Sequence, residues 1–149
     1  MRDKRFVAIH RGGSLSREEH NQLIKWAHGC VSHVLTLLPE GIDERLKGIL
    51  NIAKAWENGQ ASVGDARNAS LQAIAVANES SDPVSIAIAR AVGHAVATAH
   101  MADHSLRAAE YALKAIKAAD KSIEKERKWQ DEHMPSQVRA LLLSARSKS

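Results

Sequence analysis

The sequence is poor in aromatic residues: its 149 residues include three tryptophans, one tyrosine and one phenylalanine. A β-sandwich or β-barrel normally draws on more aromatic and β-branched side chains than this. The core must therefore be built mainly from Ala, Leu, Ile and Val, which suits close packing of helix on helix. A chain of this length is most simply one domain with a substantial core, so we expect a single all-α domain.

Cysteine and long apolar runs are also scarce. The lone Cys30 cannot form an internal disulfide, and a single thiol fits a reducing compartment better than secretion. The apolar run at residues 6–9 is far too short for the hydrophobic region of a signal peptide, and no run approaches the length of a membrane span. We therefore expect a cytoplasmic protein without a membrane partner.

The basic residues do not form the pattern of a nucleic-acid-binding domain. The formal net charge of +4 comes largely from Lys and Arg near the two ends, whereas the middle of the chain mixes both signs. A nucleic-acid-binding domain would concentrate these residues on one helix face, with aromatic or amide side chains among them. We expect no nucleic-acid partner and interpret the charged ends as solubilising.

Capping residues and apolar spacing predict six or seven helices that follow an extended N-terminal arm, residues 1–15. Ser16 and Glu19 form a capping box that opens a first helix reaching about residue 38. A second helix is expected at about 43–58, and a third opens at Ser62 with Asp65 and runs to about residue 79. The helical domain as a whole is expected to span residues 16–147.

Residues 83–119 are the centre of the prediction. This segment is rich in Ala and carries little charge before residue 106, as expected for a helix surrounded by other helices. Asp82 followed by Pro83 is the clearest helix start in the chain. One helix over the whole segment would be unusually long, so we place a turn near residues 101–105 and predict a buried helical hairpin.

Two shorter helices are expected after the hairpin. Ser122 caps a highly charged segment that should lie on the surface with Trp129 as its anchor. A C-terminal helix follows Pro135 with an apolar stripe that includes Val138 and Leu142, and the tail should fray.

Three histidines, His94, His100 and His104, lie in the central segment and suggest two alternatives. Two of them are four residues apart on one predicted helix face, and Asp103 could complete a metal site. Against this, no HExxH glutamate is present and the predicted turn separates the pair. The other interpretation makes them structural: neutral imidazoles that hydrogen-bond to buried carbonyls or to Ser105 at the helix junction.

Other candidate sites are weaker. Cys30 and His33 are three residues apart and could suggest an activated thiolate, but Cys30 falls in the apolar stripe of the first helix, where a buried Cys behaves as a small hydrophobe. His20 and His28 require only a solvated or partly buried helix face. We find no catalytic triad, nucleotide-binding loop or paired-carboxylate site, and so expect no enzyme and no cofactor.

Residues 93–115, GHAVATAHMADHSLRAAEYALKA, resemble the signature of a bacterial helical family, the Imm-5-like putative immunity proteins. Residues 61–70 and 126–146 resemble an earlier helix start and the closing elements of the same family, so the resemblance covers roughly residues 45–147. The Gly-His and Thr-Ala-His-x-x-x-His pattern is its most specific part. The positions that we assign to the structural motif are Gly93, His94, His100, Asp103, His104 and Trp129.

The resemblance implies a non-catalytic protein that binds a cognate toxin of a polymorphic toxin system. A three-histidine metal-dependent enzyme and a generic helical interaction module remain the alternatives, and a homo-oligomer is left open. Immunity proteins against basic nucleases tend to present an acidic face, whereas this chain is basic overall. We expect either that the toxin is not a strongly basic nuclease or that the contact face is locally acidic, at Glu124, Glu126, Asp131 and Glu132.

Overall fold

A computed structural model describes residues 3–148, and this part of the chain contains seven α-helices and no strand. The all-α, single-domain prediction is therefore confirmed. In chain order the helices are α1 (Arg17–Val34), α2 (Glu44–Glu57), α3 (Val63–Glu79), α4 (Pro83–Ala97), α5 (His104–Ala118), α6 (Ile123–Glu132) and α7 (Ser136–Ser147). No helix within residues 3–148 is both long and apolar enough to cross a membrane.

Local capping determines where these helices begin. Ser16 and Glu19 form a reciprocal capping box at α1, and Ser62 and Asp65 form the same arrangement at α3. At α4 the Asp82 side chain accepts a hydrogen bond from the Ser85 backbone N–H, and Pro83 follows as the first helical residue. Each cap satisfies a backbone donor that the helix itself leaves without a partner, so these starts follow from the local sequence.

The α4–α5 hairpin lies at the centre of the larger core, as the composition predicts. Helix α4 packs on α1, α2, α3 and α5, and most of its residues are buried. The turn between α4 and α5 comes slightly earlier than expected, at residues 98–103. Gly93 allows the close approach of α4 to α3, because a Cβ atom at this position would lie 3.1 Å from the Ala73 Cβ.

A second, smaller core joins α1, α7 and the N-terminal segment. Its fully buried side chains include Leu23 and Leu142, and Trp26 is almost completely enclosed. Both cores meet along α1, because Ile24 and Ala27 belong to the larger core and Leu23 and Trp26 to the smaller one. Helix α1 therefore ties the two halves of the domain together.

The N-terminal segment differs from the extended arm expected over residues 1–15, of which residues 1 and 2 lie outside the described chain. Residues 3–15 fold into two short 3₁₀ turns, Lys4–Phe6 and Ile9–Arg11. Phe6 and Leu15 are buried in the smaller core. Two apolar side chains near the start of the chain gain more from burial than from exposure to water, and this folds the segment back on the domain.

Helix α1 is shorter than predicted, because it ends at Val34 and continues as a 3₁₀ turn, Leu35–Leu37. On α6, Trp129 is only partly buried and stacks on His33 of α1. The buried residues of α6 are two polar ones, Glu126 and Gln130, so hydrogen bonds add to the aromatic contact in holding this helix.

Candidate functional site: the histidine cleft

A cleft of about 330 Å³ opens between α3, α4 and the start of α5, and we call it the histidine cleft. It contains all three histidines of the central segment, which the chain brings together from the end of α4, the turn and the start of α5. The residues that line it are Arg67, Ser70, Ile74, Ala89, Arg90, Gly93, His94, Ala97, His100 and His104.

The floor of the histidine cleft is apolar and made of small residues. Ala89, Gly93 and Ala97 lie four residues apart on one face of α4, the spacing that places side chains in a row along a helix. Because these side chains are so short, the groove between α3 and α4 stays open at the surface while their backbones pack closely below it. Gly93 thus contributes both to helix packing and to the shape of the cleft.

His94 and His104 form a hydrogen-bonded pair at one side of the cleft. Their Nδ1 atoms are 2.8 Å apart, so one ring donates its proton and the other accepts. Tyr111 stacks on His94 with its ring centroid 5.2 Å away and the planes nearly parallel. These contacts differ from the expected bonds to carbonyls and to Ser105, whose hydroxyl instead donates to the Ala102 carbonyl.

The pKa of His94 is lowered to about 4. Burial is the main cause, because removal from water disfavours the charged imidazolium, and repulsion from the neighbouring His104, Arg107 and Lys114 adds to it. His94 is therefore neutral near pH 7.

His100 bridges the turn to α3. Its Nε2 atom is 2.7 Å from a guanidinium nitrogen of Arg67. A guanidinium can only donate, so Nε2 accepts and the neutral ring carries its proton on Nδ1. His100 also lines a second cleft beneath the N-terminal segment, where Ile9 and Arg11 lie at the surface. It therefore stands at the border of two surface depressions.

The rim of the histidine cleft is cationic. Two arginines, Arg67 and Arg90, line it directly. Within residues 3–148, no ion pair joins either of these cations to a carboxylate. Asp and Glu are absent from the lining residues, so the attraction of the rim for negative charge is not offset locally.

Exposed apolar side chains continue the cleft along α3. Ile74, which lines it, is 54% exposed, and Leu71, one turn before, is 59% exposed. Among residues 3–148, only three large apolar side chains are more than half exposed, and two of them lie here, with Arg67 four residues before Leu71. An apolar patch beside unpaired cations is typical of a surface that binds another molecule.

The arrangement of the histidines does not support the metal-binding alternative. In the described part of the chain, no three His, Cys, Asp or Glu side chains are placed to hold a metal ion together. The facing nitrogens of His94 and His104 bond to each other, and His100 bonds to Arg67. Asp103, expected to complete the site or to cap α5, occupies the N-cap position without accepting a capping hydrogen bond from that helix.

Cys30 and His33 are not brought together as a reactive pair. Cys30 is fully buried, and burial raises the pKa of its thiol, so the thiolate is disfavoured. The Nδ1 atom of His33 lies instead 2.6 Å from a carboxylate oxygen of Glu126, and the ring stacks on Trp129 at 3.6 Å. His33 therefore helps to fix α6 on α1.

His20 is a buried polar anchor that the sequence interpretation missed. Its Nε2 atom is 2.6 Å from the Thr98 carbonyl oxygen, at the end of α4, and its ring lies against Trp56. The carbonyls of the last helical turn lack partners within the helix, so a histidine from α1 supplies one. The available signal was its position three residues before Leu23, which places it on the same buried face of α1.

The acidic face considered from the sequence is interrupted. Glu126 is buried and bonds to His33, and Asp131 pairs with Arg146 at 2.5 Å. Only Glu124 and Glu132 of that group remain well exposed. These four residues therefore do not form one exposed acidic patch on α6.

Comparison with known protein families gives a match to most of the chain. The family model described as Imm-5 like putative immunity protein matches residues 13–137, from just before α1 to the start of α7. This range begins earlier than the resemblance seen from the sequence and includes α1, His20 and the whole histidine cleft. No curated protein and no solved structure matches the chain.

Proposed function

The chain belongs to the family of Imm-5 like putative immunity proteins, and we propose that it binds a cognate bacterial toxin and neutralises it without catalysing a reaction. Family membership supports an immunity-type role in general. The observation that carries the finer proposal is the chemistry of the histidine cleft: a cationic rim, an apolar floor and exposed apolar side chains on α3. These are the components of a protein-binding surface.

The same cleft lacks the arrangement of a nucleophilic or acid–base catalyst. Its only hydroxyl, on Ser70, donates to the Arg67 carbonyl of its own helix at 2.6 Å. Its imidazoles are hydrogen-bonded to each other or to Arg67. A nucleophile needs an adjacent base that can take its proton, and no such pair is present among the residues of the cleft. This supports inhibition by binding.

A cytoplasmic location is part of the proposal. The unpaired thiol of Cys30, buried in the smaller core, suits a reducing compartment, where the protein would meet a toxin that enters or is made in the cell. The stoichiometry of the complex and the oligomeric state of the free protein can be measured together by size-exclusion chromatography with light scattering.

Co-expression tests the function directly. A candidate toxin is taken from the genes beside this one and is induced in a bacterial host, with and without this protein. We expect growth arrest by the toxin alone, growth when both are present, and a purified complex of the two. Continued arrest with both proteins soluble and folded would contradict the proposal.

Metal analysis distinguishes the toxin-binding inhibitor from the alternative of a three-histidine metal-dependent enzyme. The protein is purified without a histidine tag and its zinc and iron contents are measured, with His100→Ala as the control variant. A stoichiometric metal that is lost in His100→Ala would favour the three-histidine enzyme over the inhibitor.

A further inference from the structure

We infer that the histidine cleft is the toxin-contact site and that it receives an acidic segment of the toxin carrying an apolar side chain between its carboxylates. This inference rests on the proposed function and makes it more specific. It names the surface and the chemistry of the partner, neither of which follows from membership of the family.

The charge of the rim selects an acidic partner. Arg67 lines the cleft from α3 and Arg90 from α4. No carboxylate within residues 3–148 forms an ion pair with them. Electrostatic complementarity steers association and rejects partners with like charge, so a basic contact segment would be repelled here.

The apolar floor of the cleft, and the exposed apolar side chains beside it on α3, favour a partner segment that carries an apolar side chain. A volume of about 330 Å³ between Ile74 and the small residues Gly93 and Ala97 accommodates one or two apolar side chains. Leu71 and Ile74, both more than half exposed, would lose contact with water when such a segment covers α3. The partner segment thus pairs carboxylates with the walls and places an apolar side chain on the floor.

Another cationic depression fits this role less well. It lies between α5, α6 and α7, and its lining includes Lys114, Lys117, Arg127 and Arg146, but Glu110 lies among them and Arg146 is paired with Asp131. None of the four most exposed large apolar side chains lines it. The histidine cleft combines unopposed positive charge with an exposed apolar surface, and this combination distinguishes it.

Charge reversal tests the inference. The affinity of the candidate toxin is measured by isothermal titration calorimetry for wild type and for Arg90→Glu, with Lys47→Glu, on the exposed face of α2, as the matched control. We expect Arg90→Glu to weaken binding about tenfold or more, because like charges across an interface are costly. Lys47→Glu should bind within about twofold of wild type. Arg67→Glu gives a second rim variant, and circular dichroism verifies the fold of each.

The apolar contact is tested by Ile74→Ser, with Leu143→Ser on α7 as the matched control, since Leu143 is also exposed but lies away from the cleft. We expect about a tenfold loss of affinity for Ile74→Ser, from removal of buried apolar area, and little change for Leu143→Ser. Hydrogen exchange of the complex should show protection in residues 67–74 and 89–97 and not in α7.

The outcomes separate the two proposals. One outcome is that wild type binds the toxin and the three variants, Arg90→Glu, Arg67→Glu and Ile74→Ser, bind it equally well. In that case the contact surface lies elsewhere and only the present inference fails. If wild type does not bind the toxin, both proposals fail. Titration with a 20-base-pair DNA duplex is the third arm: tight binding that Arg90→Glu abolishes would assign the cleft to nucleic acid and overturn the inference.

Discussion

Two helix contacts of this domain, that of α3 with α4 and that of α6 with α1 and α5, are built in different ways. Where α3 meets α4, small residues allow the backbones to approach closely, and Ala73 faces Gly93 with no room to spare. Where α6 meets α1 and α5, the contact is polar: the fully buried Gln130 donates to the Ala109 carbonyl and accepts from Arg146, while its backbone carbonyl accepts from Trp26. The contact of α3 with α4 depends on small side chains, whereas the contact of α6 depends on hydrogen bonds between buried groups.

The difference predicts different sensitivities. In a close contact between small residues, a smaller side chain is tolerated better than a larger one. A larger side chain displaces closely packed neighbours, and this displacement costs free energy. A buried polar contact tolerates neither a smaller nor a larger side chain, since any change leaves hydrogen-bonding groups without partners in a dry environment. The following experiments run from the largest expected effect to the smallest.

Gly93→Leu should be the most damaging substitution. The new side chain would collide with Ala73, and we expect a loss of about 3 kcal/mol in the free energy of unfolding. The matched control is Gly48→Leu on the exposed face of α2, where no heavy atom lies within 4 Å of an added Cβ atom. That variant should become slightly more stable, because Leu forms helix better than Gly. Urea denaturation measures both, and equal stabilities would contradict the small-residue account.

Gln130→Ala tests the polar contact. It removes two side-chain hydrogen bonds and leaves a cavity, so we expect a loss of about 2 kcal/mol in the free energy of unfolding. Gln137→Ala is the control, because that exposed side chain bonds only to Glu18 at the surface and should contribute less than about 0.5 kcal/mol. If Gln130→Ala is as stable as its control, the hydrogen bonds of Gln130 do not hold α6 in place.

Acid should weaken the region around the histidine cleft. The pKa of His94 is about 4 in the folded protein and about 6.5 in the unfolded chain, so between these values the unfolded state binds more protons. Stability is therefore full above about pH 6.5 and falls towards pH 4, by on the order of 1 kcal/mol because His94 is partly exposed. Burial also lowers the pKa of His20 and of His28, so the protonation of these two histidines in the unfolded chain also reduces stability as the pH falls.

Thermal melts at pH 7.5 and 5.0 measure this effect. His94→Phe, which keeps a ring stacked against Tyr111, should show a smaller drop in melting temperature than wild type. The exposed His10→Phe serves as the control and should behave as wild type. An identical drop in His94→Phe and wild type would assign the acid sensitivity to His20 or His28.

Ile74→Ser should have the smallest effect on stability. Its side chain is more than half exposed at the edge of the small-residue contact, so we expect the free energy of unfolding to change by less than about 0.5 kcal/mol. Chemical denaturation gives this value from the same preparation that is used for toxin binding. A larger loss would mean that Ile74 packs in the core and does not form a docking edge.

Much of the fold could be predicted from the sequence because its signals are local. The capping boxes at Ser16 and Ser62 and the Asp82-Pro83 start each depend on residues within one turn, and all three helices begin where expected. The Ala-rich segment likewise predicts a buried hairpin, since few other environments suit so little charge. The family was also recognisable from the spacing of Gly93, His94, His100 and His104.

The site was predicted only in part. The sequence nominated the three histidines but could not show that His94 would bond to His104 and that His100 would bond to Arg67, on a helix that precedes it by more than 30 residues. Neither Arg67 nor Ile74 carries a sequence signal of its own, because an exposed Arg or Ile on a helix is ordinary. Their importance arises from the groove that they share with α4.

The sequence by itself therefore determined the helices, the buried hairpin and the family, because these depend on caps and apolar periodicity among neighbouring residues. Only the tertiary structure decided which polar side chains are buried and what they bond to. His20 reaches the end of α4, and Gln130 reaches α5, across distances along the chain that no local pattern encodes. The same packing left Arg67 and Arg90 without an ion-pair partner among residues 3–148, since charge complementarity within a fold depends on which surfaces meet.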